Sequence, residues 1–236
     1  MTSDPLQAEI NDFENELRRE WEWREDELRS LSNLIGREDD DESKSHRKSI
    51  IVMLYAHYEG FAVFALNHYR IFVNRQRLTA QTAASSIVAG AWGHIFKAIQ
   101  SGDEKCRVFT SELPDDRKLH ILWRRRNFIE QHDSLRSREI VVEDAVVDSD
   151  SNMKPKVLSR NLFLLGIPHD WVRSVEGEIN RLIQIRNALA HGSRKQGIPN
   201  AEFDEIEQAM KDVIERIQSE ILNSVNRQHF LSSSAL

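Results

Sequence analysis

The chain has 236 residues, 40% of them apolar and 30% charged, with only 9 glycines and 5 prolines. That balance fits a mostly helical globule long enough to bury a core, and it excludes a turn-rich β-sandwich. The formal net charge of −6 excludes a broad non-specific coat for nucleic acid, because affinity for a polyanion is built from Lys and Arg set against phosphates, but it leaves room for a local basic pocket.

A single cysteine, Cys106, rules out an intramolecular disulfide and suits a reducing compartment. No Cys/His cluster has zinc spacing, so neither a metal nor a cofactor is expected. The start, Met1-Thr2-Ser3-Asp4-Pro5, has no basic flank before an apolar run, and nowhere do about 18 apolar residues follow one another. The expected location is therefore the cytoplasm, with no membrane span, and the expected organisation is one domain over residues 1–236.

Asp4-Pro5 reads as a helix start, an acid at the N-cap and a proline in the first turn. Apolar residues recur at Ile10, Phe13, Leu17, Trp21, Leu28, Leu31 and Ile35, with Arg24 filling the gap in the spacing and Gly36 as the expected C-cap. This helix, 1–36, is expected to pack on the rest of the fold; Trp23 lies off its stripe. The run Arg37–Ser43 reads as a charged connector that places acids near the next helix N-terminus.

A second amphipathic helix is expected from about Ser45 to Arg77, burying Leu54, Tyr55, Tyr58, Phe61, Leu66, Tyr69 and Phe72 among others. Gly60 lies inside it. A mid-helix glycine costs about 1 kcal/mol against alanine, which points to another helix crossing closely there.

Residues 79–155 read as a variable, partly irregular insertion. Small residues over 79–101 suggest one or two short helices, and Lys118–Arg138 suggests a longer one carrying Arg124, Arg125 and Arg126. That basic cluster reads either as an RNA-facing surface or as a solvated face paired with acids. Glu139–Glu143 is the one strand-like run, followed by a polar loop to Pro155.

Val157–Leu165 is expected as a short helix stopped by Gly166, and Asp170 as the cap of a helix from Trp171 to about Ala190 that ends at His191-Gly192. A basic loop, Ser193–Gln196, leads to a last helix from Asn200, with Ile206, Met210, Val213, Ile217, Ile221 and Val225 on one face. The tail 231–236 reads as frayed.

The segment Gln184-Ile185-Arg186-Asn187-Ala188-Leu189-Ala190-His191-Gly192 is where chemistry is expected. Arg-to-His spacing this short recurs by chance, and Arg126 with His132 makes it as well. Context sets the first pair apart: Asn187 and Gly192 follow the two residues, and the pair closes a patterned helix. Imidazole is the side chain whose charge changes nearest neutrality, which suits His191 to take a proton from a ribose 2′-hydroxyl or give one to a leaving 5′-oxygen. Arginine keeps its proton and presents a planar donor fork, which suits Arg186 to stabilise charge on a phosphate. Asn187 is placed to orient either group. Helical positions five apart differ by about 140°, so one Arg186 and one His191 do not share a face; a two-fold interface, or a helix ending at the histidine, resolves this.

Arg186-Asn187-Ala188-Leu189-Ala190-His191-Gly192 resembles the R-x(4 to 6)-H signature of the HEPN superfamily. Leu54-Tyr55-Ala56-His57-Tyr58-Glu59-Gly60-Phe61 and Asn161–Ile167 resemble, in order, segments of its MAE-type branch, related to the RiboL-PSP-HEPN group. The likeness covers roughly residues 45–75 and 155–225. It implies an all-α fold with an up-and-down four-helix core, to which the N-terminal helix is an addition, often paired as a homodimer with the two motifs facing each other.

The resemblance also implies a metal-independent endoribonuclease that attacks the phosphate with the adjacent 2′-hydroxyl, acting as the toxin of a toxin–antitoxin or phage-defence system with a cognate antitoxin protein. The residues expected to act are Arg186, His191 and Asn187, with Arg194, Lys195, Glu59 and Tyr55 near the substrate and Glu59 as a supporting partner of Arg186. Some toxin-type members carry tyrosine two residues after the histidine, where this chain has Ser193. The competing reading is a non-catalytic HEPN module that binds nucleotide, RNA or protein, with Arg186 and His191 as structural residues. A metal hydrolase finds no support, since no His/Asp/Glu set has ligand spacing on a helix.

Overall fold

The computed structural model describes residues 5–150 and 152–232. Among them are eight α-helices and no strand: α1 (Pro5–Leu34), α2 (Asp41–Arg75), α3 (Ser85–Ala91), α4 (Gly93–Ser101), α5 (Arg117–Arg136), α6 (Pro155–Leu164), α7 (Glu176–Ala190) and α8 (Asn200–Asn226). The fold is all-α, as the sequence pattern implied.

The long helices alternate in direction. Phe13 of α1 stacks on His68 while Trp21 meets Phe61, so α1 descends as α2 rises. Arg186 of α7 lies on Tyr55 and Lys48 reaches the Lys195 carbonyl, so α7 also runs against α2. Phe72 and Phe230 meet at the far end, which sets α8 parallel to α2. Helices α1, α2, α7 and α8 thus form an up-and-down bundle around α2, whose inward side chains Leu54, Tyr58, Phe61, Leu66 and Tyr69 are fully buried. By length and hydropathy α2 passes as a membrane span; here its apolar residues are the core of the bundle.

The stripe on α1 buries Ile10, Phe13, Leu17, Trp21 and Leu28, and Arg24 fills its gap as a buried residue. The Arg24 guanidinium lies 4.2 Å over Trp23 and 2.6 Å from Glu20, and a Cβ at Gly60 would sit 3.3 Å from it. The glycine in α2 therefore marks a crossing, and what occupies the crossing is a cation. Trp23 packs locally, edge-on to His57.

The observed boundaries differ in several places for local reasons. The Asp4 cap lies outside the described residues. Helix α1 stops at Leu34, and Gly36 has no left-handed φ; its carbonyl accepts from Arg47 instead. Helix α2 begins four residues early because Asp40 caps it, accepting from the Ser43 amide at 2.7 Å, and it ends at Arg75, with Arg77 at φ 50°. Between α6 and α7, Asp170–Val175 forms a 3-10 turn with no side-chain cap, so α7 begins at Glu176 rather than Trp171. Gly166 stops α6 at φ 71°, as expected.

Glu139–Glu143 is extended but makes no sheet. One bridge joins Thr79 to Glu139; beyond it, Ile140 and Val142 are buried against the end of α2, with Val141 exposed between them. Asn74 grips Val142 at both backbone groups, at 2.9 and 3.0 Å, and Arg70 donates to the same carbonyl. The in-out alternation was real, and its partner is a helix. Leu231 and Ser232, expected to fray, are held: Leu231 bridges Ala83 and the Ser232 amide donates to Thr82 O at 2.8 Å.

Candidate functional site

The motif occupies the last turn of α7. Ile179, Leu182, Ile183 and Ile185 face the core, which leaves Arg186 and Asn187 half-buried on its margin. His191 is the C-cap: its amide donates to Asn187 O at 2.9 Å, and Gly192, at φ 69°, takes the left-handed turn that ends the helix. The imidazole itself is exposed, and among the described residues it has no side-chain hydrogen bond or ion pair. Ser193 Oγ and the Arg194 amide both donate to Ala188 O, so the chain folds back tightly beyond the histidine.

Arg186 sits in a neutral cage. Its Cζ lies 3.9 Å from the centre of the Tyr55 ring, which is 4% exposed. Arg186 Nη2 donates to Asn152 Oδ1, and Tyr55 OH donates to the same oxygen at 3.0 Å. Arg186 Nε is buried without an acceptor, and among the described residues no carboxylate pairs with this guanidinium. Burial raises the Tyr55 pKa and its contact with Arg186 opposes that rise; the hydroxyl stays a donor at neutral pH.

Asn152 belongs to a pinned loop. Tyr58 OH donates to Met153 O at 2.8 Å, and Asn161, fully buried on α6, donates to Asp148 O at 2.8 Å. The three stretches that carry the family resemblance therefore meet: Tyr55 and Tyr58 from α2, Asn161 from α6 and Arg186 from α7 converge on Asp148, Asn152 and Met153.

The other expected residues fall as follows. Glu59 is half-buried one turn from Tyr55 and, among the described residues, has no ion pair with Arg186, whose support comes from Asn152 and Tyr55. Arg194 makes a two-pronged ion pair with Glu202, at 3.0 and 2.7 Å, which raises its pKa and lowers that of Glu202. Lys195 is exposed, and its carbonyl accepts from Lys48. His57 points away from the motif toward α1, 2.9 Å from Glu27 at an angle that makes no hydrogen bond; burial holds its pKa below the ordinary value.

The Arg124–Arg126 cluster is divided. Arg124 is buried, donating to the carbonyls of Ile99 and Glu104, while Arg126 pairs with Glu130 and Arg125 is exposed. Among the described residues no group of three His, Cys, Asp or Glu side chains gathers at one place.

Asn152 is the residue that sequence reading missed. It stands in a polar stretch without periodicity, and the one signal for it is indirect: the buried tyrosines Tyr55 and Tyr58 need acceptors that their own helix cannot supply.

Residues 19–223 match the family model described as RiboL-PSP-HEPN. Neither the curated proteins nor the solved structures give a match.

Proposed function

Because this chain belongs to the RiboL-PSP-HEPN family, we propose that it is a metal-independent endoribonuclease whose working groups are Arg186, Asn187 and His191. The observation that carries this reading is the pairing, on one helix end, of an exposed imidazole and a guanidinium stacked on an aromatic ring, neither of which has an ion pair among the described residues. In the reaction, the 2′-oxygen forms a bond to the adjacent phosphorus as the P–O5′ bond breaks, leaving a 2′,3′-cyclic phosphate and a 5′-hydroxyl. His191 moves the proton at one of those two oxygens. Arg186 binds the non-bridging oxygens as charge builds on them, and Asn187 orients the phosphate.

Helix α7 ends at Ala190 with His191 as its C-cap, so both groups lie at one helix end, and the family resemblance pairs two such ends as a homodimer with the motifs facing each other across a composite site. An RNase of this kind suits the toxin of a toxin–antitoxin or phage-defence system, its partner being a cognate antitoxin protein. A second reading, a non-catalytic nucleotide- or RNA-binding module, is favoured by one observation: Arg186 already has protein partners in Tyr55 and Asn152.

The deciding experiment is RNA cleavage in the presence of EDTA, with the product ends identified. His191→Ala is expected to lose about 10²–10⁴-fold in rate at every pH while RNA affinity is retained. Arg186→Lys keeps the charge without the fork and is expected to lose about 10²–10³-fold. Unaltered cleavage in either variant, or no cleavage by the wild type, sinks the catalytic reading in favour of the second.

A further inference from the structure

A half-buried arginine ordinarily pairs with a carboxylate, since an uncompensated cation away from water is costly. Several arginines in this chain follow that rule: Arg24 has Glu20, Arg47 has Asp39 and Arg194 has Glu202. Arg186 does not. Among the described residues its direct contacts are an aromatic face and one amide oxygen, both without net charge, and that oxygen is also held by Tyr55 OH. A guanidinium carries five N–H donors. Asn152 takes a donor on Nη2, while no group among the described residues accepts from Nη1 or from the buried Nε.

We infer that Asn152, together with Tyr55, is a positioning residue that fixes the plane of the Arg186 fork through a neutral acceptor and so leaves its charge uncompensated for an RNA phosphate. The inference rests on the reading of Arg186 as the phosphate-binding group. Two features support it. The position of Asn152 is set independently of Arg186, because Met153 is held by Tyr58 and Asp148 by Asn161, so the amide is brought to the arginine by the fold. The Tyr55 ring covers one face of the guanidinium, and Nε is closed off from solvent, so the donor left for an incoming anion is Nη1.

The variant that separates positioning from simple structural support is Asn152→Asp. It keeps an oxygen in reach of Arg186 and Tyr55 but adds the carboxylate that the site lacks. A residue that only braces the fold tolerates this change or gains from it. A residue that keeps the cation available does not.

The test uses the full chain, with thermal unfolding, binding of a 2′-O-methyl RNA oligonucleotide that cannot be cut, and cleavage of the matching RNA. Asn152→Asp is expected to unfold at or above the wild-type temperature while its affinity for the 2′-O-methyl RNA falls at least about tenfold, the size of one lost charge-assisted contact. Tyr55→Phe keeps the ring and is expected to stay nearer wild type than Tyr55→Leu. In an Arg186→Ala background, Asn152→Asp is expected to have no further effect on binding.

Wild-type affinity in Asn152→Asp, or an equal loss with and without Arg186, overturns the inference. A wild type that binds the 2′-O-methyl RNA but cuts no RNA overturns the catalytic reading alone, and the comparison of affinities still decides the role of Asn152. A wild type that neither binds nor cuts overturns both.

Discussion

Arg47 lies near the start of α2, only 2% exposed, and gathers four acceptors: Asp39 Oδ1 at 2.9 Å and the carbonyls of Gly36, Glu38 and Ile198 at 3.0, 2.7 and 3.2 Å. It joins the α1–α2 connector to the loop that follows the motif, where Ile198 also donates its amide to Lys44 O. Replacing Arg47 by alanine removes the cation and strands three carbonyls, so Arg47→Ala is expected to cost on the order of 3 kcal/mol, read as a lower denaturation midpoint at unchanged slope. Loss of well under 1 kcal/mol would mean that water replaces the guanidinium freely. The same scale separates what is legible in a residue from what is not. Arg186 and His191 were legible as a pair because the spacing, the neighbouring Asn187 and the stopping Gly192 are local. That Arg186 is caged by Tyr55 and Asn152 was not, because those partners lie 131 and 34 positions away.

Among the elements, α1 and α2 were readable from period alone, since apolar residues three and four apart form one face and the fold must cover it. The covering surface is specific: Phe13 stacks on His68 with centroids 4.3 Å apart, Phe13 meets Phe72 edge-on, and Trp21 meets Phe61. Removal of residues 5–34 is therefore expected to bare Phe61, Ala65, His68 and Phe72 of α2 and to cause aggregation, visible by light scattering after expression of the shortened chain. A shortened chain that stays monodisperse and equally stable would show that α1 is dispensable. The segment Glu139–Glu143 was misread for a related reason. Alternation announces that one side of an extended chain is buried, but nothing in it says whether the burying surface is a strand or the flank of a helix. Asn74 and Arg70, which supply the hydrogen bonds a sheet would have given, lie 68 and 72 residues before Val142.

For the whole molecule, the three tyrosines of the chain are all on α2 and all buried: Tyr55, Tyr58 and Tyr69. Desolvation raises the pKa of each above the ordinary value of about 10. A group whose pKa is higher in the folded than in the unfolded chain binds its proton more tightly when folded, so its contribution is complete below about pH 10 and is lost as pH rises beyond that. Alkaline titration followed by phenolate absorbance is expected to show ionisation delayed beyond the ordinary tyrosine range, with the fully buried Tyr58 and Tyr69 ionising only as helix is lost by circular dichroism. Ordinary titration of a tyrosine in the folded state would contradict the burial seen here. The proposed homodimer belongs to this scale too. Sedimentation at micromolar concentration without RNA is expected to give a dimer, and a strict monomer would count against a composite site built from two facing motifs.

By itself, the sequence determined that the chain is helical, where its long helices lie, that α7 stops at His191-Gly192 and that the family motif sits there, because periodicity, caps and breakers act over a few residues. The tertiary structure alone decided that α1 and α7 run against α2 while α8 runs with it, that Arg124 turns inward while Arg125 stays out, and that the motif arginine is met by an amide instead of a carboxylate. Each of those outcomes depends on groups brought together from distant parts of the chain by the burial of the apolar faces, and no pattern within a single segment encodes which polar atom will be waiting when those faces close.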